Sequence, residues 1–211
     1  MQKLIFTLLT MFIFSLSATA SAAERREKDL VNAKVTLING ETMTYLTRSS
    51  IARTQKSITF YNVETREEET EIKCDDIASL YLWRSEFEDK GGLLLRVKEG
   101  RKNKFCLVSA IGEHAISLRY ADMYYTVNDE GTITMTSQSV IEGGVLMEGA
   151  KEAVFVGAVA TNSILIGDKH GFRRKASELF AKDPDLVAKI QDKTLTAKDL
   201  DFICESYSPK E

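Results

Sequence analysis

The chain has 211 residues, 44% of them apolar and 28% charged, and its 28 basic and 31 acidic residues give a formal charge of −3. This size suits one ordinary domain or two small ones, and the apolar-to-charged balance excludes general disorder. The mild acidity speaks against a nucleic-acid partner, and with only 2 prolines and 12 glycines the chain is neither collagen-like nor a proline-rich linker.

At the N-terminus Lys3 precedes an apolar run from Leu4 to Leu16, which gives way to the small residues of Ser17–Ala23. This is the three-part layout of a secretory signal, so residues 1–23 are expected to be removed by cleavage after Ala22 or Ala23. The apolar run falls short of the roughly 20 residues that cross a bilayer. No cysteine sits at the cleavage point to carry a lipid. The expectation is a periplasmic or secreted protein that does not span a membrane once the signal is gone. The later apolar stretch from Ala153 to Ile166 holds Thr161, Asn162 and Ser163 and is also too short to span.

Residues 24–168 read as a β-rich domain. Val31, Ala33, Val35 and Leu37 alternate, Asn39-Gly40 follows, and Met43 and Tyr45 alternate on the return. Asn-Gly between β-formers predicts a hairpin closed by a type I′ turn. Ser57–Val63, Glu71–Cys74 and Leu80–Trp83 extend this into a first sheet over 30–84. A polar loop, Ser85–Gly92, leads to a second possible sub-sheet over 92–166. Its hairpin Leu93–Val97 and Phe105–Ser109 brackets Glu99–Lys104, and Ala115–Tyr120, Met123–Val127 and Thr132–Met135 follow. Ser137–Gly149 is weakly patterned, and Ala153–Val159 with Ser163–Ile166 reads as a buried hairpin, though a buried helix fits as well.

Residues 169–211 change character. Phe172, Ala176, Leu179 and Phe180 form one helical stripe. Asp183-Pro184 caps and opens a second helix, with Leu186, Val187 and Ile190 on its apolar face. Thr196 caps a last helix with Asp199 three residues on, and Leu195 can staple to Leu200. The fold class is α+β: an antiparallel meander, partly closed barrel or sandwich, followed by short C-terminal helices packed on it.

The hairpin Val35–Thr42, the Cys74-Asp-Asp-Ile77 step into an aromatic strand, and the tail with Phe172–Phe180, Asp183-Pro184, Asp199-Leu200 and Tyr207 together resemble a broad family of small exported Gram-negative proteins of uncharacterised function. The resemblance implies export and a sheet-plus-helix architecture, and it carries no catalytic residues.

Three cysteines are present. In an oxidising compartment Cys74 and Cys106, both on strand segments, could pair; equally, all three with Cys204 could be buried thiols. Only two histidines occur, the acids match no calcium loop, and phosphate-cradling and dinucleotide glycine patterns are missing, so neither metal nor cofactor is expected. The sharpest catalytic idea is a Cys106 nucleophile with His114 as base and Asp122 or Glu113 as orienter. Against it stands the setting of Cys106, Lys104-Phe-Cys-Leu-Val108, which reads as a buried strand. Arg101-Lys102-Asn103-Lys104 and Lys169–Lys175 are locally basic; the plainer reading is that they solvate a turn and a helix start, and the functional one is a patch contacting an anionic membrane or polysaccharide. The expected function is a non-enzymatic binding module of the cell envelope with a protein, glycan or membrane-surface partner. The alternative is a hydrolase whose active residues follow no motif.

Overall fold

A computed structural model describes residues 29–138, 140–161 and 169–210. The signal segment 1–23 and the run Ser163–Ile166 lie outside them. The described elements are β1 (Leu30–Leu37), β2 (Thr42–Arg48), β3 (Ser50–Ala52), β4 (Ser57–Tyr61), β5 (Glu68–Lys73), β6 (Ile77–Trp83), β7 (Gly92–Glu99), β8 (Lys102–Ile111), β9 (Ala115–Tyr120), β10 (Tyr124–Val127), β11 (Ile133–Thr136), β12 (Val140–Met147) and β13 (Val154–Thr161), then α1 (Lys169–Leu179), α2 (Pro184–Gln191) and α3 (Leu200–Ser206). No helix among the described residues is long and apolar enough to cross a membrane.

The strands form an antiparallel ten-stranded sheet in the order β13-β12-β9-β8-β7-β6-β1-β2-β4-β5 and a three-stranded sheet β11-β10-β3. The α+β class and the antiparallel meander expected from the sequence are both present. The division between residues 84 and 92 is not a sheet boundary, because β6 and β7 pair through Ser79–Leu95 and Leu82–Gly92. Nor do β10 and β11 extend the main sheet: β10 pairs with β11 on one side and on the other with β3, a three-residue strand too short to announce itself by alternation.

The first hairpin forms as expected, but its turn does not. Gly40 alone takes positive φ, at 88°, while Asn39 stays in the ordinary region. The Gly40 N–H donates to the Leu37 carbonyl at 2.9 Å and the Leu37 N–H to the Glu41 carbonyl at 2.8 Å. Ile38, Asn39 and Gly40 therefore make a three-residue loop in which glycine supplies the bulge, and type I′ is ruled out because it needs positive φ at both central residues. The Asn39 side chain accepts from the Glu41 N–H, which holds the loop in that form.

The weakly patterned stretch 137–149 contains β12, which pairs with β13 and β9. β13 therefore pairs with β12, and Ser163–Ile166, the partner expected from the sequence, lies outside the described residues. Gly143-Gly144 disguises the strand, yet both glycines are fitted: a Cβ at Gly143 would lie 2.3 Å from Val159 Cγ1, and one at Gly144 would press the Phe155 ring.

Pleating distributes side chains among three cores. On β7 and β8, Leu94 and Phe105 enter a core shared with Ala33, Val35, Leu80, Leu82 and the small sheet's Ile51, Tyr125 and Val127. The neighbouring Leu95 and Cys106 point the other way, to Leu118, Tyr120, Ala153 and Phe155. That second core is enclosed because the sheet coils back on itself without closing: Lys98 and Glu152 form an isolated parallel bridge, and the Ala153 N–H donates to the Lys98 carbonyl at 2.9 Å. The third core lies under the helices, where Phe172, Ala176, Phe180, Leu186, Ile190, Leu200, Ile203 and Tyr207 meet Ala115, Val145 and Val156.

The helix signals read from the sequence hold. Asp183 accepts from the Leu186 N–H at 3.0 Å with Pro184 opening α2. Thr196 and Asp199 form a capping box, though through a 3-10 turn that runs into α3. Helices this short are marginal in water, so packing must hold them. Besides the apolar core, a part-buried polar latch does so. Arg119 Nη2 donates to Asp201 at 2.8 Å and Nη1 to Ser117 Oγ at 3.0 Å, while the Ser109 hydroxyl donates to the same Asp201 oxygen at 2.6 Å. Gly112 lets α3 approach, since a Cβ there would sit 2.1 Å from the Cys204 carbonyl oxygen.

Candidate functional site

The residues of the catalytic idea are not assembled. Cys106 is fully buried in the enclosed core, and burial pushes its thiol up to about 12, far from a reactive thiolate. His114 lies in the β8–β9 turn, roughly 17 Å along the strand from Cys106. Its Nδ1 is 2.7 Å from Glu148, and its ring packs edge-on to Tyr207. Glu113 is 3.9 Å from its other ring nitrogen. Asp122 is elsewhere, accepting from the Ser137 hydroxyl at 2.6 Å and the Gln138 N–H at 2.9 Å; these bonds, aided by Arg53, hold its carboxyl below the usual range.

The disulfide option does not form either. Cys74, Cys106 and Cys204 are all free and buried. Cys74 belongs to the core on the Phe105 side of the sheet and Cys106 to the core on the opposite side, so the sheet itself separates them. Burial raises all three thiols, Cys204 also to about 12. A thiol titration in denaturant is expected to find three, where a Cys74–Cys106 bridge would leave one. Among the described residues no group of three His, Cys, Asp or Glu side chains gathers as a metal site.

What the fold does bring together is a broken groove, two separate pockets on either side of the loop joining β3 to β4. One compartment, about 600 Å³, is lined by Ile51–Thr54, Lys102–Phe105, Tyr120, Asp122, Tyr125, Val140 and Glu142. The other, about 610 Å³, is lined by Gln55–Ser57, Glu71, Lys73–Asp75 and Arg96. The loop divides them and is tied at both ends: the Arg53 N–H donates to the Met123 carbonyl, and the Cys74 N–H to the Lys56 carbonyl, each at 2.8 Å. Tyr125 fixes the floor, its hydroxyl donating to the Phe105 carbonyl at 2.7 Å and accepting from the Ala121 N–H.

The β7–β8 hairpin supplies the charged wall. Gly100, at φ 57°, provides the positive φ of its two-residue turn, and the pairing Arg96–Phe105 and Val97–Lys104 sends Arg96 and Lys104 to opposite faces. Lys104 is fully committed. Its ammonium sits 4.1 Å from the Tyr120 ring centroid and 4.5 Å from that of Phe155, and it pairs with Glu99 at 2.7 Å and Glu142 at 3.6 Å. Desolvation pulls its pKa down, but the two carboxylates outweigh that and leave it above the ordinary value. Arg96 stacks on Phe105 and donates to Asp75 at 2.6 Å; that hydrogen bond and the guanidinium's charge hold the Asp75 carboxyl below its usual range.

The charge inventory of the groove is one-sided. Two of the four lining acids are ion-paired, Asp75 with Arg96 and Glu142 with Lys104, while Glu71 and Asp122 accept hydrogen bonds from the Ser57 and Ser137 hydroxyls and keep their charge. The exposed lining cations Arg53, Lys56, Lys73 and Lys102 make no ion pair, and neither does Arg101 in the adjoining turn. Of the groove's charge, the local reading of the sequence reached only Arg101–Lys104. The signal for Arg96 was there, a lone cation inside the apolar strand Leu93–Val97, whereas nothing local marks Arg53, Lys56 or Lys73. No family model matches the chain, and no curated protein or solved structure is significantly similar to it.

Proposed function

We propose that the protein is an exported, non-enzymatic binding module of the cell envelope that holds an acidic glycan strand in this groove. The observation that carries the reading is the excess of unpaired cations over unpaired acids among the lining residues. Charges arranged this way attract an anionic partner and speed its encounter. A recessed groove suits a chain better than a flat bilayer. Proteins that lie on membranes set apolar residues beside their cations, whereas Ile38, Val63, Ile111, Tyr124, Val154 and Phe202, the exposed large apolar side chains among the described residues, line neither compartment. The leader pattern of residues 1–23 supports the envelope setting.

Calorimetric titration with polygalacturonate, against neutral dextran, tests the reading. The acidic polymer is expected to bind at low ionic strength and to weaken as salt screens the exposed cations. The double variant Arg53→Ser/Lys102→Ser is expected to lose at least about tenfold in affinity with thermal unfolding unchanged, since both side chains are exposed and unpaired. Equal binding of dextran, or polymer binding indifferent to the double variant, would sink it.

A further inference from the structure

We infer that Arg96 anchors an oxyanion subsite: the compartment it shares with Gln55, Lys56 and Lys73 takes a single phosphate, sulfate or carboxylate group. The inference rests on the groove reading and narrows it to one set of donors. A guanidinium carries five N–H donors in a rigid fork. Arg96 bonds only through Nη2, toward Asp75; its Nε is unpartnered but buried, whereas Nη1 makes no bond and keeps solvent contact, so Nη1 and the second Nη2 hydrogen are the donors an oxyanion can reach. The group is nonetheless held in place, 5.0 Å above the Phe105 centroid with its side chain 16% exposed, so little freedom remains to be lost on binding. Its present partner is weakly committed. The Asp75 side chain is 76% exposed and stays hydrated whether or not it keeps the arginine. Lys56 and Lys73 line this compartment as cations without an ion pair, and outnumber Glu71, its one lining acid that has none either. A cation pre-set on an aromatic ring, flanked by two more, matches the geometry in which oxyanions are recognised by paired N–H donors.

The test follows the arginine Nε–H signals of the isotopically labelled full chain by NMR while inorganic phosphate, then sulfate, is added against chloride at constant ionic strength. The Arg96 signal is identified by its loss in Arg96→Lys. A saturable shift with phosphate and sulfate but not chloride is the expected result. Because Arg96 also packs on Phe105, a second variant guards against misfolding: Lys56→Gln/Lys73→Gln changes exposed side chains only and is expected to weaken phosphate by about tenfold. An unmoved Arg96 signal, or a double variant that binds phosphate as the parent does, overturns the inference. Polygalacturonate binding with a silent Arg96 removes the subsite and leaves the groove reading intact. Phosphate saturation without polygalacturonate binding does the reverse. Phosphatidylglycerol vesicles that capture the chain through Arg96 support the subsite but make a lipid headgroup the source of its anion.

Discussion

Arg119 and Arg96 lie on the same face of the large sheet, each beside an aspartate, and they differ in how many of their donors are used. Under the helices, Arg119 bonds Asp201, Ser117 Oγ and the Leu118 carbonyl, its side chain 10% exposed. Burial pulls its pKa down while Asp201 pushes back, the mark of a charge that is removed from water and compensated inside. At the groove, Arg96 bonds one exposed carboxylate and keeps an unpartnered Nε. A guanidinium whose three bonds all run to its own chain, one of them to a helix, fastens one element to another. An unsaturated one, held rigid over an aromatic ring, retains donors for something that arrives later.

That contrast is most sharply broken at the latch. Asp201→Ala leaves Arg119 buried without its counter-charge and is expected to cost about 3 kcal/mol in urea unfolding, the low end for a buried pair because Asp201 is part-exposed. A loss no larger than that of a surface pair would make Arg119 no more a fastener than Arg96. Gly112→Ala comes next: its Cβ would collide with the Cys204 carbonyl and lift α3 from the sheet. About 1–3 kcal/mol is the expected destabilisation, read by thermal unfolding.

Smaller effects are expected at the groove. Asp75→Asn removes the carboxylate that competes for Arg96, so sulfate affinity is expected to rise roughly threefold, with stability down by less than about 1 kcal/mol. Acid gives the same sign. The Asp75 carboxyl is held below its usual range in the folded chain, so its stabilising contribution is complete above the unfolded aspartate range and fades as pH falls through the lowered folded value. Over that window the parent's sulfate affinity climbs toward that of the variant, and a flat profile would show that Asp75 does not restrain Arg96. Smallest is Glu152→Gln, which breaks the exposed Lys98–Glu152 pair but keeps the backbone bond to Lys98; the chemical-unfolding midpoint is expected to match the parent's.

The latch and the groove were unequally legible. Alternation at Val31, Ala33 and Val35 and the caps at Asp183 and Thr196 are local signals, and those elements formed where they were expected. β12 was hidden because Gly143 and Gly144 answer to Val159, Leu200 and Phe155, neighbours that only the tertiary fold supplies. The same holds for function. Arg53, Lys73, Arg96 and Lys102 come from four separate segments, and each taken alone reads as an ordinary charge beside a turn or within a strand. Only the sheet order, with β7 and β8 beside β6 and the β3–β4 loop laid across them, makes them one surface.

The coil that sets Glu152 beside Lys98 joins points 54 residues apart. Its interior is walled by Tyr120 from β9 and Phe155 from β13, so it stays wet until the chain as far as β13 has been laid down. Contacts this distant along the chain are made late. Until then Cys106 faces solvent, which makes that thiol a natural reporter on the closing of the coil.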